Sequence, residues 1–129
     1  MIAKRVFVSF DYDHDPELRD LLIGQSKNPD SPFNIQDYSV KEPLTGDWKE
    51  KIRTKIKRVD QVCVICGHYT DTASGVSAEV SIAQEEEKPY FLLAGRKEGT
   101  NKKPKSALSS DKVYKWTWDN LKLLIQGKR

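Results

Sequence analysis

The residues best equipped for chemistry lie in two polar runs. The first, Phe10, Asp11, Tyr12, Asp13, His14 and Asp15, sets three carboxylates among aromatic rings. The second spans residues 67–74 and carries Thr70, Asp71, Thr72 and Ser74 just ahead of a segment containing Glu79. Loops that grip the phosphate of a flavin or dinucleotide offer glycines and hydroxyls, so that backbone amides can approach the anion. Carboxylates repel it, which argues against a flavodoxin or Rossmann cofactor site at the first run. An acidic run would suit the magnesium of a phospho-receiver domain, but that chemistry needs an aspartate at the end of the third strand, where this chain has Cys66 and Gly67.

Cys63 and Cys66 form a C-x-x-C pair inside an apolar run, 61–66, that reads as a buried strand. Side chains three apart on a strand point to opposite faces and are separated by roughly 10 Å, beyond the reach of a disulfide. Both cysteines are read as core. A structural zinc would need two further ligands, and the isolated His14 and His68 do not supply them, so no metal is expected. Lys49, Lys51, Arg53, Lys55, Lys57 and Arg58 crowd one segment with Glu50 as the only acid among them. That surface suits either a phosphate-rich partner or plain solvation. The formal net charge of +3, from 22 basic and 19 acidic residues, is too balanced to argue for nucleic acid, which is not expected as a partner. Nucleic-acid binding would weaken steeply with salt and with neutralisation of Lys51, Lys55 and Arg58.

Alternating strands and helices must position these groups. A length of 129 residues and 14.8 kDa is that of one domain, taken as residues 1–129. The first strand is read at 5–10, followed by a helix capped by Asp15 with Pro16 at its first position, Leu18, Leu21 and Leu22 inward, and Gly24 as its stop. A second strand at 33–38 leads into a loop at 39–46. Asp47 and Glu50 have the spacing of a capping box for a helix that turns Trp48, Ile52, Ile56 and Val59 to one face. The third strand, 61–66, is followed by the helix bearing Val76, Val80 and Ala83 inward, and the fourth strand is 90–94. Residues 96–110 read as a flexible basic excursion, before a short strand at 113–116 and a helix at 119–126. The longest apolar runs, 62–66 and 90–94, are far shorter than the ~20 residues of a membrane span. With no signal-peptide stretch either, a soluble cytoplasmic protein is expected.

This element order implies a flavodoxin-like α/β domain: a three-layer sandwich around a mostly parallel five-stranded sheet of order 2-1-3-4-5. In that order ligands bind at the switch point between strands one and three, where the loops leaving their carboxyl ends separate. Those loops are the two polar runs.

The same motifs resemble the TIR-like domains of the Thoeris anti-phage protein ThsB and its relatives. The resemblance rests on residues 6–15, on Asp47 and Trp48 with Ile52 and Ile56, on residues 60–67, and on Thr70 through Ala83, and is strongest over 4–94. It implies cleavage of the bond between nicotinamide and ribose in NAD+, which would be substrate and not a resident cofactor, with release of a cyclic ADP-ribose isomer. That diffusible nucleotide would activate a separate effector protein; the sequence leaves open whether the chain also has a homo-oligomer partner. The family's catalytic glutamate lies on the helix after strand three, five positions beyond a serine, a pattern matched by Ser74 and Glu79. The family usually places a tryptophan soon after that serine, whereas this chain has Gly75 and Val76.

Physical reasoning gives each candidate a role and an alternative. Glycosidic cleavage passes through an oxocarbenium-like transition state, which a carboxylate such as Glu79 would stabilise. Its position among Val76, Val80 and Ala83 places it at the border of the apolar face, while Glu85, Glu86 and Glu87 are expected to be solvated. Phe10 and Tyr12 suit stacking on nicotinamide or adenine, although Phe10 also suits the core. Asp11 would bond ribose or order its loop, and Ser74 would contact ribose or cap the helix. Trp48 would line the substrate loop or pack in the core. His14 and His68 would bind pyrophosphate when protonated, or remain loop histidines. The alternative to an enzyme is a non-catalytic TIR-like module acting by assembly or partner binding.

Overall fold

β-Branched and aromatic runs form five strands, and apolar residues at helical spacing form the helices that cover them. The computed structural model describes residues 3–39 and 47–128. It contains β1 (Lys4–Ser9), α1 (Pro16–Ser26), β2 (Phe33–Tyr38), α2 (Trp48–Lys57), β3 (Gln61–Cys66), a 3₁₀ turn (Thr70–Thr72), α3 (Ser74–Glu85), β4 (Tyr90–Ala94), β5 (Val113–Lys115) and α4 (Trp118–Ile125). The sheet order is β2-β1-β3-β4-β5 and each of these pairings is parallel. The expected α/β architecture and strand order are therefore observed. Residues 40–46 of the expected loop lie outside the described residues.

The sheet separates two apolar layers. On one face Val6, Val8, Leu18, Leu22, Leu121 and Ile125 join β1 to α1 and α4. On the other, Phe7, Ile52, Ile56, Val64, Val80 and Leu92 join the sheet to α2 and α3. Cys63 belongs to the first layer and Cys66 to the second, as strand alternation requires. Both are free thiols, and burial pushes both up, Cys66 to about 12, so neither is a nucleophile near neutrality.

One irregularity matters to the site. The register of β1 on β2 passes from Val6↔Ile35 to Phe7↔Asp37, so Gln36 is an extra residue and the strand bulges there. Phe33, Ile35 and Tyr38 all pack on the α1 face. The bulge thus flips the alternation, and turns Asp37 towards Lys55 of α2 (3.8 Å) and Ser39 towards α3.

Several local expectations are corrected. Leu21 is 56% exposed while Leu18 and Leu22 are buried, so only a narrow apolar stripe of α1 packs on the sheet. α1 runs past Gly24 to Ser26, and a Cβ built at Gly24 would meet nothing within 4 Å. Asp15 and Asp47 occupy N-cap positions without side-chain capping bonds. The Asp15 carboxylate is drawn instead into a pair with Arg96 (2.7 Å) and packs so closely on Gly67 that an added Cβ would lie 2.3 Å from it.

Residues 96–110 are not the loose excursion that their composition suggests. Arg96 donates to the carbonyl of His14 and the carboxylates of Asp15 and Glu17. Asn101 exchanges bonds with the Arg96 backbone, Lys102 N–H donates to the Gly67 carbonyl (2.9 Å), and Ser106 Oγ donates to the Ser77 carbonyl of α3. The segment straps together the loops that follow β1 and β3. Composition registers its hydrophilicity but not where its donors land.

Two stability outcomes follow. Leu22→Ala is expected to cost about 3 kcal/mol, whereas Leu21→Ser stays within about 0.5 kcal/mol of the parent in urea unfolding. Arg96→Met, which leaves the Asp15 carboxylate buried without its cation, is expected to cost about 2 kcal/mol in the same measurement.

Candidate functional site

The loops that follow the paired strands β1 and β3 separate at the switch point, and a cleft of ≈ 260 Å³ opens there between the loop after β1 and the start of α3. Phe10, Asp11, Tyr12, His14, Trp48, Ser74 and Glu79 all line it, so the expected site residues are brought to one place. Asp13, Ser39, Thr72, Ala73, Gly75 and Val76 also line it among the described residues.

Glu79 is the chemical centre of this cleft. α3 buries Val76, Val80, Ile82 and Ala83, and Glu79 falls on that apolar face with only 1% of its surface exposed, deeper than the border position expected. Its Oε1 accepts two short hydrogen bonds, from Ser9 Oγ at the end of β1 and from Ser39 Oγ just past β2, each at 2.6 Å. Burial pushes its pKa from 4.5 up to about 7, while the two serines and the more distant Lys55 oppose the rise and Asp37 adds to it. Ser39 is fully engaged, since its Oγ also accepts from the Phe10 N–H at 3.1 Å.

The sequence reasoning missed Ser9 and Ser39. Ser9 is a lone hydroxyl directly after the apolar run Val6, Phe7 and Val8, and that was a usable signal of a buried polar partner. Ser39 reaches α3 only because of the bulge at Gln36, which alternation cannot reveal.

The other residues divide between lining and support. Asp11 is buried and orders its own loop: Oδ1 accepts from the Asp13 N–H (3.1 Å) and Oδ2 lies 2.7 Å from His14 Nδ1. Phe10 is both core and cleft wall, with the Arg19 guanidinium 5.3 Å from its ring centre. Tyr12 is 41% exposed at the rim, 6.1 Å from the Phe10 ring. His14 stacks on Tyr69 at 4.4 Å. Trp48 is buried in the α2 layer and still faces the cleft, so both readings of it hold. Ser74 is the first residue of α3 and not its cap; Ala73 holds that position.

Two expected neighbours lie elsewhere. Asp15 is committed to Arg96, and His68 Nε2 lies 2.6 Å from the Glu98 carbonyl; neither lines the cleft. The basic surface of α2 is partly neutralised as well. Arg53 pairs with Glu85 and Glu86, Lys57 with Glu86, and Lys55 with Asp37, so Glu85 and Glu86 are structural partners where free solvated acids were expected. No group of His, Cys, Asp and Glu among the described residues is arranged to hold a metal. No helix among them is long and apolar enough to cross a membrane.

The burial of Glu79 makes stability depend on pH in a defined direction. Between about pH 4.5 and 7 the folded chain keeps the proton that the unfolded chain has released, so stability falls as pH rises through that window. The full penalty is about 3 kcal/mol at roughly 1.4 kcal/mol per unit. Glu79→Gln, which is never charged, is therefore expected to be more stable than the parent at pH 8 by about 2–3 kcal/mol, with the difference vanishing near pH 5 in paired urea titrations.

Comparison with known proteins completes the description. No curated protein matches the chain in sequence. A prokaryotic SEFIR domain of known crystal structure superposes with a TM-score of 0.60 at 22% identity, covering 95% of this chain and 92% of that one, a likeness of fold. The family model for the TIR-like domain of the Thoeris protein ThsB matches residues 7–102, which include both switch-point loops, the two serines and Glu79. The chain belongs to the ThsB TIR-like domain family.

Proposed function

We propose that this TIR-like domain cleaves the nicotinamide–ribose bond of NAD+, as a glycohydrolase or cyclase in anti-phage signalling, with Glu79 as its essential carboxylate. The observation that carries this reading is the Glu79 carboxylate, buried in an open-mouthed cleft and held by Ser9 and Ser39 with its pKa near 7. Such a group can switch between neutral and anionic forms at working pH.

In the reaction the C–N glycosidic bond breaks and its electron pair leaves with nicotinamide, which departs neutral because it was bound as a cation. No strong acid is needed. The ribosyl carbon becomes positive, and ionised Glu79 faces that charge in a site where water is scarce and electrostatic stabilisation is strong. Capture by water, with loss of a proton, gives ADP-ribose; capture by an adenine nitrogen of the same molecule gives a cyclic isomer. Ser9 and Ser39 hold the carboxylate at a fixed angle, so little reorganisation accompanies charge development. Tyr12 and Phe10 offer ring faces to nicotinamide, and Trp48 adds an indole to the cleft wall. The product would act as a diffusible signal on a separate effector, and second copies of this chain and NAD+ are its proposed partners.

The test is incubation of the purified protein with NAD+ while following nicotinamide release and cyclic product. Wild type is expected to turn over and Glu79→Gln to lose about 10²–10³-fold in kcat. An inactive wild type, with NAD+ unbound, favours the non-catalytic interaction module; activity retained by Glu79→Gln removes the assigned role. kcat/KM is expected to rise with pH through about 7 as free Glu79 ionises, and Ser9→Ala, which removes one bond favouring the anion, should move that midpoint upward.

A further inference from the structure

The Glu79 cleft is too small to enclose a dinucleotide. Its ≈ 260 Å³ falls below the ~300–1,000 Å³ typical of pockets that bury drug-sized ligands. A second hollow of ≈ 750 Å³ lies between α2 and α3, and Trp48, Thr72, Ala73 and Ser74 line both. The two hollows are neighbours across the first turn of α3.

Their charges differ in sign. Asp11, Asp13 and Glu79 line the small cleft, while Lys49, Arg53 and Lys105 line the large one, against Asp71 and Glu85. Arg53 is held by Glu85 and Glu86, but Lys49 and Lys105 have no ion-pair partner among the described residues. At the junction α3 begins without a side-chain cap, so its first amides remain available to an anion. Beside them the buried Trp48 Nε1 has no acceptor among the described residues. Gly75 has room around it: a Cβ built there meets only the Trp48 ring, at 3.9 Å. Nothing in the packing of the described residues requires glycine at this point.

We infer that the two hollows form one dinucleotide site, in which the cleft takes the cationic nicotinamide riboside end and the α2–α3 hollow takes the nucleoside diphosphate end. The pyrophosphate lies across the start of α3, and Lys49 and Lys105 face the phosphates and the adjoining ribose. This orientation puts the cation among carboxylates and the anion among ammonium groups and uncapped amides. The inference rests on the proposed NAD+ reading for its substrate, but it predicts binding of a fragment that lacks nicotinamide altogether.

ADP is the probe, titrated by calorimetry and by amide chemical shifts. Wild type is expected to bind it, with the largest shifts at Ser74, Gly75 and Ser77. Two partly exposed ion pairs are together worth about tenfold in affinity, so Lys49→Glu combined with Lys105→Glu should weaken ADP by at least about tenfold. Gly75→Val, which fits the fold but fills the junction, should weaken it similarly. In the cleavage assay the double variant should raise KM for NAD+ by about the same factor and leave kcat and the cleavage of nicotinamide riboside within about twofold. Failure of wild type to bind ADP, or equal binding by the double variant, overturns the inference, as does a parallel loss with nicotinamide riboside. If ADP binds as expected and NAD+ is not cleaved, the subsite stands and the catalytic reading falls.

Discussion

The ends of β1 and β2 are tied to α3 by a carboxylate that sits where a carboxylate is costly. Glu79 lies on the inward face of α3, between Val76, Val80 and Ala83, with almost no contact with solvent. An ionised side chain there needs donors at hydrogen-bond distance, and among the described residues these come from the end of β1 and the residue just past β2. Ser9 and Ser39 meet that need on a single oxygen. The bulge at Gln36 is the structural consequence, because without it Ser39 would face α1 on the opposite side of the sheet. Ser39 then accepts from the Phe10 amide, and so fixes the first residue of the acidic, aromatic loop as well. One buried charge thus couples three elements and the loop that closes the cleft.

The same economy governs the neighbouring ions. Asp15 belongs to the acidic run by sequence, yet Arg96 removes it from the cleft and ties the loop after β1 to the segment after β4. Lys102 ties that segment to Gly67, so the loops after β1, β3 and β4 form one braced rim. On the far side of α3, Arg53 and Lys57 bind Glu85 and Glu86 and clamp α2 against α3. The net charge near neutrality therefore conceals a division into committed pairs, an acidic cleft and, beside it, lysines without an ion-pair partner among the described residues.

Much of the fold was legible because it depends on periodicity. The order and parallel pairing of the strands follow from alternation of element types, and the opposite faces of Cys63 and Cys66 follow from the two-residue period of a strand. The candidate site was legible to the extent that it is local: Glu79 at its place on α3, and Phe10, Tyr12 and His14 on one loop, are near neighbours in sequence. What escaped depends on contacts between distant residues. Asp15 looks like a cap until Arg96, 81 positions away, is brought beside it. Ser39 lies 40 positions from Glu79, and its orientation is set by a bulge. Residues 96–110 have the composition of a free loop, but their donors find carbonyls on α3 and in the switch-point loops.

Under the proposed reading, the cost of burying Glu79 becomes part of the catalytic design. In the empty protein near pH 7 the carboxylate is poised between its two forms, and its anion is less stable than the same group in water. A cationic nicotinamide ring entering the cleft favours the anion, so the substrate itself ionises the group that acts on it. The interaction then changes as the bond breaks, because the positive charge leaves the ring and develops on the ribosyl carbon. A carboxylate clamped by Ser9 and Ser39 does not follow the departing charge. On that reading it would face the carbon, and the interaction would be strongest where the transition state carries its charge, which is the difference between binding a substrate and accelerating its reaction.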